Sequence, residues 1–166
     1  MKKYIKFFLT LSGVLLFLSC GGSSNLGKEN KGLRSGLDGT WNLDQVSYQS
    51  EGYFKSVLFN DADTKCFNGS EWFFRSNNST GTYTLYNEDC NPGIRYIRWS
   101  IQNDANGNPS TFTFKFTDEK KKDLYGGVGY AFNIESITPN SMVLSSTESA
   151  GGDSVGMTFE FSKKSM

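Results

Sequence analysis

Large apolar side chains alternate with polar ones in short runs of the chain, and this pattern limits the fold more than any other feature. The clearest run is Thr111–Thr117, where Phe112, Phe114 and Phe116 are separated by Thr and Lys. Residues 157–162 repeat it, with Met or Phe at every second position. Since successive side chains of a β-strand point to opposite faces, a period of two predicts strands that are buried on one face only.

Eight runs of this kind follow one another, and they predict an all-β fold. They are Trp41–Tyr48, Glu71–Arg75, Thr82–Tyr86, Arg95–Gln102, Thr111–Thr117, Tyr130–Thr138, Ser141–Ser146 and Met157–Ser162. Short turn sequences such as Asn106-Gly107 lie between them and favour antiparallel pairing of consecutive strands. Eight strands in a meander can close into an antiparallel up-and-down β-barrel, which has no exposed sheet edge. A two-sheet sandwich would show the same pattern and is the alternative.

One face of each strand carries most of the large side chains, and we expect that face to line the barrel interior. The expected inward set is Trp41, Leu43, Trp72, Phe74, Tyr83, Leu85, Ile97, Trp99, Ile101, Phe112, Phe114, Phe116, Tyr130, Phe132, Ile134, Met142, Leu144, Met157, Phe159 and Phe161. The rings expected to contact a bound ligand are Trp72, Phe74, Tyr83, Trp99, Phe112, Phe114, Tyr130 and Phe132. Polar candidates for orienting a ligand are Gln45, Arg98 and Ser136, whose faces depend on the strand register. Within Gly52–Asn68, the longest stretch without a predicted strand, residues 54–59 are candidates for a helical turn or a lid.

The N-terminus is typical of an exported protein. A cationic start at residues 1–6 precedes an apolar stretch from Phe7 to Phe17 and then Leu18-Ser19-Cys20-Gly21. An apolar stretch of this length predicts a secretory signal peptide, because a membrane span needs about 20 apolar residues. The last four residues resemble the bacterial lipobox, which predicts cleavage after residue 19 and lipidation of Cys20. Residues 20–36 are then a lipidated, flexible polar tether, and residues 37–164 are a single domain.

Charge and cysteine usage narrow the functional classes. The chain has 17 basic and 17 acidic residues, and removal of residues 1–19 takes away three lysines, which leaves a net charge of −3. This balance argues against nucleic-acid binding. The two remaining cysteines, Cys66 and Cys90, are an even pair in an exported chain, so we expect a disulfide between them.

A family resemblance begins at residues 37–41, Leu-Asp-Gly-Thr-Trp, at the start of the first predicted strand. This segment resembles the Gly-x-Trp signature of lipocalins. The features that resemble the lipocalin-like domain of many Bacteroidota lipoproteins also include residues 71–74, residues 81–83, the closing residues 158–164, Cys66 and Cys90. The resemblance implies a barrel that binds rather than catalyses, in which Gly39 and Trp41 close one end. Lipocalins usually carry an arginine near the last strand that packs over this tryptophan, where this chain has Lys163 and Lys164.

No catalytic site, metal site or cofactor is predicted. The chain has no histidine, and a serine triad needs an imidazole. Gly152–Gly156 matches the nucleophile motif Gly-x-Ser-x-Gly, but the next residues predict a strand and not the helix that the motif requires, so a hairpin turn is expected there. Asp104–Asn108 resembles the start of a calcium loop, but the rest of an EF-hand does not follow.

Two functions fit such a chain. The first is a lipid-anchored binding protein of the cell envelope, without enzymatic activity, that holds a small hydrophobic or amphipathic molecule in the barrel. The second is a protein-interaction lipoprotein with a filled barrel, either an inhibitor or an accessory subunit of an envelope complex. In both, lipid on Cys20 anchors the chain to the membrane. The lack of an acidic run after Cys20 favours the periplasmic face of the outer membrane.

Overall fold

The computed structural model describes residues 32–49, 57–150 and 153–165. In these ranges a helical turn at residues 32–36 precedes ten strands. The strands are β1 (Gly39–Tyr48), β2 (Val57–Leu58), β3 (Ala62–Asp63), β4 (Ser70–Arg75), β5 (Thr80–Leu85), β6 (Gly93–Asn103), β7 (Pro109–Thr117), β8 (Gly129–Ile137), β9 (Ser141–Ala150) and β10 (Asp153–Lys163). Two short 3₁₀ turns lie at Thr64–Cys66 and Glu88–Cys90. The predicted signal peptide and Cys20 lie outside the described residues.

Eight of these strands form one closed antiparallel barrel, in the order β1-β10-β9-β8-β7-β6-β5-β4. Strand β1 closes the ring because it pairs with both β4 and β10. Trp41, for example, lies opposite Trp72 on one side and Lys163 on the other. The closed ring confirms the eight-stranded up-and-down barrel and excludes the sandwich, whose sheets would have edges. Strands β2 and β3 form a separate ribbon within the stretch that has no predicted strand.

The barrel interior is filled by the face that the alternation predicts. Every residue of the expected inward set is buried except Tyr130 and Ile134, which are half-buried and pack against the core. The aromatic rings interlock in edge-to-face and stacked pairs, as for Phe74 with Trp99 and Phe114 with Phe132. These side chains leave an internal cavity of only about 10 Å³, which has room for one water molecule at most.

The three polar side chains considered for the interior lie outside it, so that interpretation is wrong. Gln45, Arg98 and Ser136 are all exposed on the outer wall. Two β-bulges account for the first and the last of them. The pairing of β1 with β10 shifts between Leu43 and Gln45, and that of β8 with β9 shifts between Ile134 and Ser136. An extra residue in a strand places two consecutive side chains on the same side. Arg98 has no bulge beside it and lies outside by simple alternation.

The motif Gly152–Gly156 lies at the start of β10. Strand β10 begins at Asp153, which pairs with Ala150 of β9, so residues 153–156 are strand rather than turn, and Gly152 lies outside the described residues. Val155 faces the interior and is 3% exposed, whereas Ser154 faces solvent. The pairing therefore continues past the point at which the alternation of large side chains stops, because backbone hydrogen bonds do not require large side chains.

The two ends of the barrel are built differently. At the end that we call the closed end, the helical turn at residues 32–36 packs on the barrel, and the buried Trp41 donates its indole N–H to the Leu37 carbonyl oxygen at 2.9 Å. The opposite end, which we call the mouth, carries the connections 57–69, 86–92 and 118–128. The predicted disulfide between Cys66 and Cys90 is confirmed and joins the first two of these connections. No helix in the described part of the chain is long and apolar enough to cross a membrane.

Candidate ligand-binding site

The ring of Phe59 plugs the barrel at its mouth. It projects from the turn between β2 and β3, is only 8% exposed, and packs among six other rings. Those rings, with centroid distances between 5.0 and 6.5 Å, are Phe67, Trp72, Phe114, Tyr130, Phe132 and Phe159. Five of the six contacts are edge-to-face, the arrangement that aromatic quadrupoles favour. We call these six rings the aromatic cage.

The backbone that carries Phe59 is held in an unusual conformation. Phe59 and Asn60 have φ angles of 58° and 53°, in the left-handed region that non-glycine residues rarely adopt. The turn is tight, since the Asp61 N–H donates to the Leu58 carbonyl oxygen at 2.9 Å. Two left-handed residues in a row are typical of a tight hairpin turn, and Asn tolerates this conformation whereas Phe adopts it at a cost of about 1–3 kcal/mol. Burial of the Phe59 ring contributes about 1.5–3 kcal/mol, which offsets the cost at Phe59.

Polar contacts hold the same turn in the mouth. Arg95 donates from Nε and Nη2 to the two carboxylate oxygens of Asp61, at 2.9 and 3.0 Å. The Tyr83 hydroxyl donates to the same carboxylate at 2.6 Å. The Tyr130 hydroxyl donates to the Phe59 carbonyl oxygen at 2.6 Å. Because the side chains of Arg95 and Asp61 are only 13% and 17% exposed, their two-pronged pairing is shielded from water and geometrically specific.

Two backbone carbonyl oxygens also accept hydrogen bonds from the Arg95 guanidinium. Its Nη1 donates to the Gly93 carbonyl oxygen at 2.9 Å, and its Nη2 donates to the Asn91 carbonyl oxygen at 2.8 Å. Asn91 belongs to the connection 86–92 that the disulfide secures, and Gly93 is the first residue of β6. The cation therefore has a fixed orientation that does not depend on Asp61 alone.

Tyr83 is a neutral hydrogen-bond donor in this cluster. Its side chain is fully buried, and this burial, followed by its hydrogen bond to the Asp61 carboxylate, raises the pKa of the Tyr83 phenol well above its usual range. Both causes disfavour a phenolate in low dielectric beside an anion. The hydroxyl keeps its proton and can serve a carboxylate at this position.

A vestibule of about 330 Å³ lies beside the plug, between the β2–β3 turn, the start of β6 and the connection 118–128. Its lining includes the Phe59–Asp61 turn and three apolar side chains of the mouth, Ile94, Leu124 and Tyr125, which are between 51% and 59% exposed. A volume of this size is at the lower end of those of small-molecule sites. The vestibule is thus a partly apolar entrance with one half-buried cation, Arg95, and three carboxylates, those of Asp61, Asp118 and Glu119, in its lining.

The predicted ring set divides between the mouth and the interior. Trp72, Phe114, Tyr130 and Phe132 belong to the aromatic cage. Tyr83 belongs to the polar contacts of the mouth. The other predicted rings, Phe74, Trp99 and Phe112, form a cluster deeper in the barrel. The structure thus brings five of the eight rings to the mouth.

Three residues of the mouth were not among the expected ligand-contacting residues: Phe59, Asp61 and Arg95. Phe59 ends the segment 54–59, for which a helical turn or a lid was expected. Residues 57–58 form strand β2 instead and Phe59 begins the turn to β3, whereas residues 54–56 lie outside the described part of the chain. The pairing of Asp61 with Arg95 has no sequence signal, because 34 positions separate the two residues and neither belongs to a motif. Only the closure of the barrel brings them together.

Another surface depression, of about 520 Å³, is an open groove on the outer wall of β6, β7 and β8, lined by small side chains such as Ser100 and Thr113 and by Arg98 and Lys115. Among residues 32–49, 57–150 and 153–165, no three Cys, Asp or Glu side chains are grouped so that they could hold a metal ion.

The sequence and the structure were each compared with those of known proteins. A sequence model of the lipocalin-like domain family matches residues 37–144, which is more than half of the chain. Among solved structures, the chain is similar to a lipocalin-like protein from Bacteroides uniformis, with 16% identity, 78% of this chain and 99% of that chain covered, and a TM-score of 0.45. It is also similar to bovine odorant binding protein complexed with its natural ligand, with 17% identity, coverages of 80% and 74%, and a TM-score of 0.45. No curated protein matches the chain.

Proposed function

Because the chain belongs to the lipocalin-like domain family, we propose that it is a binding protein for a small apolar or amphipathic molecule, taken up at the mouth of the barrel. The observation that carries the proposal is the vestibule of about 330 Å³, which borders the Phe59 plug and the half-buried Arg95. Elsewhere the interior is packed. A ligand can therefore bind only in the vestibule and in the space that the Phe59 ring fills.

The walls of the vestibule favour an amphipathic molecule. Ile94, Leu124 and Tyr125 expose about half or more of their surface, and large exposed apolar side chains that cluster mark binding sites. Arg95 adds one positive charge, which pairs with Asp61, and Asp118 and Glu119 add two carboxylates to the lining. An apolar body with one polar end matches this mixture of apolar and charged groups, and an anionic end would pair with Arg95 in place of Asp61.

Fluorescence of a neutral aromatic probe, N-phenylnaphthylamine, tests the proposal. We expect saturable binding of one probe per protein in the vestibule, which is large enough for it, with quenching of tryptophan emission. The variant L124D places a charge in the vestibule and should weaken binding about tenfold or more. Y86D is the matched control, since Tyr86 is 60% exposed and is not part of the vestibule lining. Failure of the folded protein to bind the probe at all would refute the proposal.

We also propose that the protein is anchored to the outer membrane through lipid on Cys20 and faces the periplasm. The support is the cationic start, apolar stretch and Leu18–Gly21 sequence at the N-terminus. Two or three acyl chains on Cys20 would give stable anchoring, which one chain alone does not. C20A should move the protein from the membrane fraction to the soluble fraction, and the mass of the N-terminal peptide would report the acyl groups. Resistance to protease added to intact cells would support the periplasmic face.

The filled interior favours a second candidate function, that of a protein-interaction lipoprotein. A cavity of about 10 Å³ holds no ligand, and the exposed side chains of Ile94, Leu124, Tyr125 and Val128 would then contact a protein partner. Cross-linking in membranes followed by purification distinguishes the two functions. A stoichiometric protein partner that is lost in L124D, together with no binding of the probe, would favour the second.

A further inference from the structure

The turn Phe59–Asp61 places an aromatic ring and a carboxylate in the mouth of the barrel. We propose that this turn occupies the place of the ligand, and that the ligand is a small carboxylic acid carrying one aromatic ring. The turn is then a tethered competitor that the ligand displaces. This inference rests on the proposed binding function and specifies the ligand class for the same site.

The aromatic half of the inference follows from the aromatic cage. Phe59 contacts its six rings on all sides, and a cavity of only about 10 Å³ remains beside it. The space at the plug therefore fits one six-membered ring, and a bulkier ring system would require the deeper rings to move. Edge-to-face contacts with Phe67, Phe114 and Tyr130 favour an aromatic occupant over an aliphatic one of equal size.

The carboxylate half follows from Arg95 and Tyr83. Both groups are buried or nearly so, and both donate to the Asp61 carboxylate. If the turn leaves, a guanidinium and a hydroxyl lose their acceptor in a place with little water, which is costly unless another acceptor replaces it. A carboxylate replaces it completely, because a guanidinium and a carboxylate form two parallel hydrogen bonds. An alcohol or an amide cannot make the same pair.

Exchange between turn and ligand is favoured by the small size of the element that moves. Phe59 and Asn60 form the tight turn between the two-residue strands β2 and β3, so the turn leaves the cage without breaking any pairing of the barrel strands. The disulfide between Cys66 and Cys90 keeps the following residues in place, so the displacement is confined to the ribbon of β2 and β3. The vestibule then opens directly onto the cage, and an acid with a short chain spans both.

Calorimetric titration with hydrocinnamate, and with the neutral hydrocinnamamide as its isosteric control, tests the ligand class. In D61N the tethered carboxylate is replaced by an amide of equal size, so we expect hydrocinnamate to bind about tenfold more tightly than to the wild type. D44N, a charge removal on the outer wall, should leave the affinity unchanged. R95M should abolish binding of hydrocinnamate, whereas R98M, three residues further along β6 and exposed, should not.

Two measurements and one further variant keep the test independent of folding. Near-ultraviolet circular dichroism shows whether each variant retains its packed rings. The variant F59A removes the other tethered group, the aromatic ring, so it should also bind hydrocinnamate more tightly. In the wild type, saturating hydrocinnamate should speed amide hydrogen exchange at residues 57–63 and leave exchange in β7 unchanged. A structural role alone for the turn would give no such increase.

The outcomes separate this inference from the proposed function. Equal binding of hydrocinnamate and hydrocinnamamide would overturn the assignment of a carboxylate. Binding of N-phenylnaphthylamine, with no binding of hydrocinnamate by the folded wild type, D61N or F59A, would overturn the ligand class and leave the binding function standing. Failure of all probes would refute both.

Discussion

The Lys163 ammonium lies 5.2 Å from the centroid of the Trp41 ring, at the closed end of the barrel. Its Nζ also donates to the Gly36 carbonyl oxygen at 2.7 Å. One lysine thus ties the last strand both to the ring that closes the barrel and to the helical turn that precedes it. It takes the place at which lipocalins usually have an arginine, and its neighbour Lys164 instead pairs with Glu71 on the surface.

K163M should lower the free energy of unfolding by about 2 kcal/mol, because it removes a cation–π contact and a charge-assisted hydrogen bond. K163R should retain most of the stability. Urea unfolding followed by tryptophan fluorescence measures both. K164M, the control one residue along the chain, alters a solvent-exposed pair and should have no measurable effect. Equal losses in K163M and K164M would contradict the role assigned to Lys163.

F59A should lower the free energy of unfolding by about 3–5 kcal/mol, because it leaves a cavity among the six rings of the cage. Y86A, which truncates an exposed ring, should change it by less than about 0.5 kcal/mol. Chemical denaturation compares the two. If the loss in F59A were as small as that in Y86A, the ring would not be packed as described.

G81A should be strongly destabilising, by about 2–3 kcal/mol. A Cβ at Gly81 would lie 2.4 Å from the Phe73 carbonyl oxygen on the neighbouring strand, and backbone in a barrel cannot move aside. G156A is the matched control in β10. Its Cβ would meet the side-chain oxygen of Gln49, also at 2.4 Å, but this exposed side chain can rotate away. Thermal unfolding should therefore show a large loss only for G81A.

Reduction of the disulfide should lower stability by about 3–3.5 kcal/mol in the chain-entropy account, since Cys66 and Cys90 are 24 positions apart. The double variant C66A/C90A should show the same loss without reductant. Added dithiothreitol should then have no further effect on it. Because the bond secures the connection that carries Asn91, affinity for N-phenylnaphthylamine should fall as well.

Acid should selectively loosen the connection 118–128. A hydrogen bond from Lys115 is the largest cause that holds the pKa of Asp123 at about 2, below its ordinary 3.8, and backbone N–H groups of Gly127 and Tyr125 add to it. A depressed pKa in the folded state means that the stabilisation is complete above about pH 4 and is lost as the pH falls toward 2. The difference in melting temperature between wild type and D123N should shrink over that interval.

The eight barrel strands and the inward face of almost every ring could be predicted from the sequence. Alternation is a local signal, and residues 111–117 carry it without reference to anything distant. The exceptions are informative. At Gln45 and Ser136 a bulge changes which face a residue occupies, and a bulge depends on the partner strand rather than on the strand itself.

Only part of the candidate site could be predicted, because some of its residues lie on strands and others lie in connections. Trp72, Phe114, Tyr130 and Phe132 lie on strands, so periodicity places them inside. Phe59 comes from a connection, where no period applies, and its burial depends on rings from β4, β7, β8 and β10.

The amino-acid sequence by itself determined eight antiparallel strands with an aromatic inward face and an even pair of cysteines, Cys66 and Cys90, whereas the closed ring of strands excluded the sandwich only in the structure. The tertiary structure alone decided that the barrel is plugged at its mouth and that a cation and a carboxylate meet there. Strand periodicity is a local pattern with a period of two residues, so each strand shows it without reference to the rest of the chain. The meeting of Asp61 with Arg95 needs the ring of strands to close first, because the two residues are 34 positions apart in the chain.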